Sequence, residues 1–168
     1  GTVHGGYLSH ASATGDATGN TVTITGGTMG DVYGGWTAGT GATTGNTVNL
    51  GSAADAVASG TTIGKLYGGS NATATDNTLN VYDMGAKVGY FEDFQNLNFY
   101  LSPRANLSKS MLTTTQAKNK DISGSTITME LDGGYAPVGV GDDISLVSLP
   151  DAQNIVTANN LSGTTYQT

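Results

Sequence analysis

Polar and apolar residues alternate strictly in three short stretches: Thr21-Val22-Thr23-Ile24, Thr47-Val48-Asn49-Leu50 and Thr78-Leu79-Asn80-Val81. Period-two alternation sends successive side chains to opposite faces of an extended chain, so each stretch predicts a half-buried β-strand. Val22, Ile24, Val48, Leu50, Leu79 and Val81 would face a core, and the Thr and Asn between them would face outward. A second extended run precedes each strand: His4-Gly5-Gly6-Tyr7, Tyr33-Gly34-Gly35-Trp36 and Tyr67-Gly68-Gly69-Ser70. Glycine weakens a lone strand, so its recurrence at one place points to a bend or to backbones packed closer than side chains permit. Two strands per unit cannot bury an apolar face alone. Stacked units can, each adding a layer at about 4.8 Å, and stacks of this kind tolerate loops of unequal length.

The regular repeat covers residues 1–82, and β character continues less regularly over 83–168, so a single all-β domain is expected. Leu97-Asn98-Phe99-Tyr100-Leu101 alternates cleanly, and the runs 125–131 and 143–149 read as further strands. Their apolar positions, Leu97, Phe99, Leu101, Ile127, Met129, Ile144 and Leu146, extend the expected core. The Ala-rich segment from Ser52 to Ala58 has helical composition but is too short to stand alone, and is expected as a turn on the side of the stack. Turns are expected at Asp132-Gly133-Gly134 and at Gly141-Asp142.

Composition narrows the function classes. The chain has 26 Gly in 168 residues, about twice the usual ~7% share. Charged residues make up 11% of it, under half of the ~25% found in ordinary soluble domains. A net charge of −7 argues against nucleic acid as a partner. With no Cys there is no disulfide, thiolate metal site or cysteine nucleophile. No Lys or Arg precedes Lys65, whereas Arg104, Lys109, Lys118 and Lys120 lie in one acid-free stretch, expected as a solvated loop.

Candidate chemistry is sparse. Stacking would set His4, Tyr33 and Tyr67 in one column, with Tyr7 and Trp36 beside it. Tyr7, Tyr33, Trp36 and Tyr67 are the candidate binding residues, able to stack on sugar rings, although the same rows serve simply as cross-strand pairs that stabilise neighbouring coils. Asn20, Asn46 and Asn77 predict an amide ladder at a turn. The calcium-binding Gly-rich nonapeptide is approached only at Gly26-Gly27-Thr28-Met29-Gly30-Asp31, and Lys65 stands where the next coil would need Asp, so no metal site is expected from that motif. One opportunistic ion near Asp132 or Asp142-Asp143 is left open. Glu92-Asp93 and Asp142-Asp143 are adjacent in sequence and would point to opposite faces, so neither is a ready carboxylate dyad. Ser9-His10 lacks a nucleophile elbow. Neither a catalytic residue nor a cofactor is expected.

The pattern Val32-Tyr33-Gly34-Gly35 followed by Gly45-Asn46-Thr47-Val48, with its counterparts from Val3 to Val81, resembles the passenger regions of Gram-negative autotransporters. The similarity continues through Phe94-Gln95-Asn96-Leu97-Asn98-Phe99-Tyr100-Leu101 and Gly141-Asp142-Asp143-Ile144-Ser145-Leu146-Val147. It implies a right-handed parallel β-helix (β-solenoid) carried to the cell exterior by a C-terminal membrane barrel. Signal peptide and barrel are expected in a parent protein of which this chain is an excised piece. The implied function is adhesive or structural, at the bacterial outer-membrane surface. The implied partner is a host or bacterial surface glycan or protein, or a like copy, with membrane contact only through that barrel. The alternative is a polysaccharide-binding or polysaccharide-degrading enzyme on the same scaffold.

Overall fold

The computed structural model describes the chain except residues 56, 59, 72, 83–84, 103–104, 117–119, 123, 132–140, 151–155, 158–159 and 164–168. The expected turn at Asp132-Gly133-Gly134, and Arg104 and Lys118 of the basic stretch, lie outside the described residues.

Two long sheets form the body. The first joins β1 (Val3–Leu8), β4 (Val32–Thr37), β6 (Thr62–Tyr67), β8 (Ala86–Glu92), β10 (Leu112–Thr114) and β13 (Val147–Ser148), with short β3 (Thr28–Met29) also paired to β6. The second joins β2 (Thr21–Ile24), β5 (Thr47–Leu50), β7 (Thr78–Tyr82), β9 (Asn96–Leu101), β12 (Thr126–Leu131) and β15 (Asn160–Gly163). A small sheet pairs β11 (Lys120–Asp121) with β14 (Val156–Thr157). Neighbouring strands are parallel in all three. The chain passes from one long sheet to the other and returns one layer further on, which makes the fold a parallel β-helix.

Alternation in the sequence becomes alternation in burial. Val22, Val48, Leu79, Leu97 and Ile127 stand in register along the second sheet, all turned inward and buried. Ile24, Leu50, Val81 and Phe99 form the parallel inner column, which Met129 continues half-buried. From the first sheet Val32, Ile63, Leu66, Val88, Phe91 and Leu112 close the same core. Each fully buried Val, Leu or Phe contributes about 1.5–3 kcal/mol of transfer free energy, and one layer of a coil brings several. Ile144 and Leu146, also expected inside, are like Met129 partly buried and packed against the core.

The paired glycines have a definite cause. A methyl group on Gly34 would lie 2.7 Å from the Gly68 carbonyl oxygen and 2.8 Å from Asn46 Cβ, and one on Gly35 would lie 2.7 Å from Asn46 Nδ2. Gly5 and Gly6 meet Asn20 in the same way, and Gly68 meets Asn77. Each Gly pair is therefore the seat for the Asn that opens the next strand of its own coil. The segment at Ser52 is a loop turn, closed by Asp55 N–H to Ser52 Oγ (3.0 Å) and Ser52 N–H to Asp55 O (2.7 Å).

Candidate functional site

Three columns of side chains follow from this register. The first is the aromatic row on the outside of the first sheet. Strand pairing sets His4 against Tyr33, Tyr33 against Tyr67 and Tyr7 against Trp36. The rings stack: His4 on Tyr33 with centroids 5.2 Å apart, Tyr33 on Tyr67 at 4.6 Å and Tyr7 on Trp36 at 4.8 Å. His4 also touches Tyr7, at 4.6 Å, and joins the two rows. The structure thus brings Tyr7, Tyr33, Trp36 and Tyr67 together as one patch. Stacking has a consequence for recognition, because a sugar needs an open ring face. Both faces of Tyr33 are covered by its neighbours, leaving its rim and hydroxyl outward. Tyr7, 55% exposed, is the most open ring of the patch.

The row changes character at its far end. β8 sets Lys65 against Tyr90 and Tyr67 against Glu92, so Tyr90 sits two positions from where a continued stack would need it. It meets Tyr67 edge-on, with the two hydroxyls 2.7 Å apart. Burial, the hydrogen bond to Tyr90 and the nearby phenol and carboxylate charges hold the Tyr67 phenol well above its usual range. Tyr33 is raised by burial and then by Asp31, against the lowering effect of Lys65. Burial lowers His4, favouring its neutral form. Lys65, which replaces the Asp of the previous coil, pairs with that same Asp31 at 3.9 Å and lies 5.7 Å from the Tyr90 ring centre. The substitution that breaks the calcium motif thus creates an ion pair between layers.

The second column is internal. Asn46 Oδ1 accepts from Asn20 N–H (3.0 Å) and Asn20 Nδ2 (2.9 Å). Asn77 Oδ1 accepts from Asn46 N–H (2.8 Å) and Asn46 Nδ2 (3.2 Å). Gln95 Oε1 then accepts from Asn77 N–H (3.0 Å), while Asn77 Nδ2 donates to Thr43 O (3.0 Å). Asn46 and Asn77 are fully buried, so this ladder is a structural spine.

The third column is the outer wall of the second sheet. One rank runs Thr21, Thr47, Thr78, Asn96, Thr126, and a second runs Thr23, Asn49, Asn80, Asn98, Thr128. Within the second rank Asn49 Nδ2 donates to Thr23 Oγ1 (2.9 Å), Asn80 Nδ2 to Asn49 Oδ1 (2.8 Å) and Asn98 Nδ2 to Asn80 Oδ1 (2.9 Å). Beside the ranks, Tyr82 stacks on Tyr100 at 4.4 Å. The Tyr100 phenol is raised by burial and by the nearby Tyr82 and Glu130. Sequence reasoning placed the first of these Thr and Asn outward but did not single out the wall. The signal was available in Thr-Val-Thr, Thr-Val-Asn, Thr-Leu-Asn, Asn-Leu-Asn and Thr-Ile-Thr.

Among the described residues no three His, Asp or Glu side chains come together to hold a metal ion. Asp142 and Asp143 are exposed beside a turn, and Asp132 lies outside the described residues. Among the described residues no helix is long and apolar enough to cross a membrane. Comparison with family models, with curated proteins and with solved structures returns no match.

Proposed function

We infer that the chain is an adhesive or structural domain displayed outside a bacterial cell, acting through its long repetitive walls and not through catalysis. The observation that carries this reading is the register of outward side chains, aromatic over the first three coils of one sheet and Thr or Asn coil after coil on the other. Such a surface offers the same weak contact many times over. A partner that is itself repetitive, whether glycan, surface protein or a second copy, then gains avidity without any single strong contact. The autotransporter-like repeat supports an exterior location and a passenger role.

The test displays the chain on beads and measures attachment to glycan-coated and protein-coated surfaces, together with bead–bead aggregation. Attachment or aggregation above that of a globular control is expected. Release of reducing ends from a polysaccharide panel, abolished by substituting one carboxylate, would replace this reading with a glycan-active enzyme.

A further inference from the structure

The two polar ranks on the second sheet form a fixed array. Rungs repeat at about 4.8 Å along the stack, and residues two apart on a strand are about 6.6 Å apart. The side-chain bonds that Asn49 donates to the Thr23 hydroxyl and that Asn80 and Asn98 donate to the preceding amide hold these side chains in place before any ligand arrives. Each of these bonds uses one of the two N–H groups on its Nδ2, leaving the other to donate. Each Thr hydroxyl both donates and accepts. No charged residue occupies either rank, in a chain whose net charge is −7.

We propose that this wall binds a neutral, extended polysaccharide lying along the stacking axis, about one sugar residue to each rung. The proposal deepens the adhesive reading and rests on it. Charge selects the ligand class. A sulfated or carboxylated polymer would meet no cation within the two ranks and would meet the exposed Glu130 carboxylate at their side. A polycation would find no carboxylate within the ranks. A neutral β-linked glycan presents hydroxyls that donate and accept, at intervals close to the rung spacing, so either polarity of the wall's groups is met. The slight mismatch between sugar and rung spacing accumulates, which limits a single chain to a few residues in register. Side chains already held by the ladder lose little freedom on binding, which preserves what each weak hydrogen bond contributes. Tyr82 and Tyr100, two positions beyond Asn80 and Asn98 on the same face, border the ranks with a stacked pair of rings.

The experiment is isothermal titration of the whole chain with cellohexaose and with mannohexaose, and with heparin as the polyanion control. The variant is Thr47→Val with Thr78→Val, which keeps the branched shape and removes two hydroxyls; far-UV circular dichroism checks its fold. Lys87→Ala, at an exposed position of β8 on the opposite sheet, is the neutral comparison, and Trp36→Ala probes the aromatic patch. Binding of a neutral oligosaccharide is expected, about tenfold or more weaker in the double Val variant and unchanged in Lys87→Ala. Failure of both oligosaccharides to bind, binding of heparin alone, or loss in Trp36→Ala without loss in the double Val variant would overturn the assignment. Bead attachment or aggregation by a chain that binds neither oligosaccharide leaves the adhesive reading standing while the wall assignment falls. Oligosaccharide binding without attachment or aggregation has the reverse meaning.

Discussion

Replacing Asn46 by Ala removes three hydrogen bonds from the internal spine. They are the two that Asn46 Oδ1 accepts from Asn20 and the one that its Nδ2 donates to Asn77 Oδ1. The bond from Asn46 N–H to Asn77 Oδ1 survives, because it belongs to the backbone. Each lost bond removes about 1 kcal/mol net, and more where a donor is left dry. Asn20 is half-buried and can be rehydrated, so the expected total is about 2–4 kcal/mol. Asn46→Asp separates geometry from charge. The carboxylate still accepts from Asn20 but opposes Asn77 Oδ1 inside a fully buried site. Burial then raises its folded-state pKa above the unfolded value of about 3.9. A raised pKa means stability that is present below the unfolded value and lost as pH rises through the folded one. Asn46→Asp is therefore expected to be nearer wild type at pH 4 than at pH 7, whereas Asn46→Ala loses a similar amount at both. Stacked coils need not unfold as one unit. Urea midpoints are therefore read both from far-UV circular dichroism and from the fluorescence of Trp36, the sole tryptophan, which lies in the first-sheet strand of the same coil. An Asn46→Ala protein within about 0.5 kcal/mol of wild type, the scatter of neutral surface substitutions, would refute the spine as a stabilising element.

Three further outcomes follow from the same geometry. Gly34→Ala forces a methyl group against Gly68 O and Asn46 Cβ and should cost about 1–3 kcal/mol by overpacking, read in the same urea melts. Asp76 takes φ 56° where the earlier coils have Gly19 and Gly45 at 65° and 66°; Asp76→Gly should leave the midpoint unchanged or raised, and Asp76→Val should lower stability by about 1–2 kcal/mol. Tyr33, Tyr67 and Tyr100 have raised phenol pKa values, so absorbance titration should show a class of tyrosines still protonated above pH ~10. Because the folded state favours their neutral form, stability should fall as pH rises past that value, and a single titrating class near pH ~10 would count against the stacked row.

What the sequence disclosed and what it withheld divide along a physical line. Within a strand, side-chain direction is fixed by the backbone, so Val22, Val48, Leu79 and their companions could be assigned to the core from alternation alone. Between coils, contacts depend on register, which repeat motifs disclose only while they last. His4, Tyr33 and Tyr67 carry the motif and align. Tyr90 does not, and its placement two positions off, edge-on to Tyr67, could not be read from Val88-Gly89-Tyr90-Phe91. The covering of ring faces was equally hidden, since it arises only once the coils are stacked. The glycine pairs pointed to close packing, but not to Asn46 as the group seated against Gly34 and Gly35, because that contact joins the two sheets across one coil.

That contact also explains how the walls stay regular while the loops do not. Gly6 to Asn20, Gly35 to Asn46 and Gly69 to Asn77 are separated by unequal stretches of chain, yet each coil delivers its Asn to the same seat. Once Asn20, Asn46, Asn77 and Gln95 are bonded in sequence along the axis, the strands that follow them start in register whatever the loop before them contains. A one-residue slip would turn Val48 and Leu50 outward and place Thr47 and Asn49 in the core, so the inner columns and the spine enforce the same alignment. Loops are thereby free to vary in length and sequence, while the outer ranks inherit their spacing from a ladder whose central members, Asn46 and Asn77, are fully buried. The periodicity on which the proposed repeated weak binding would rest is set by Asn and Gly inside the stack.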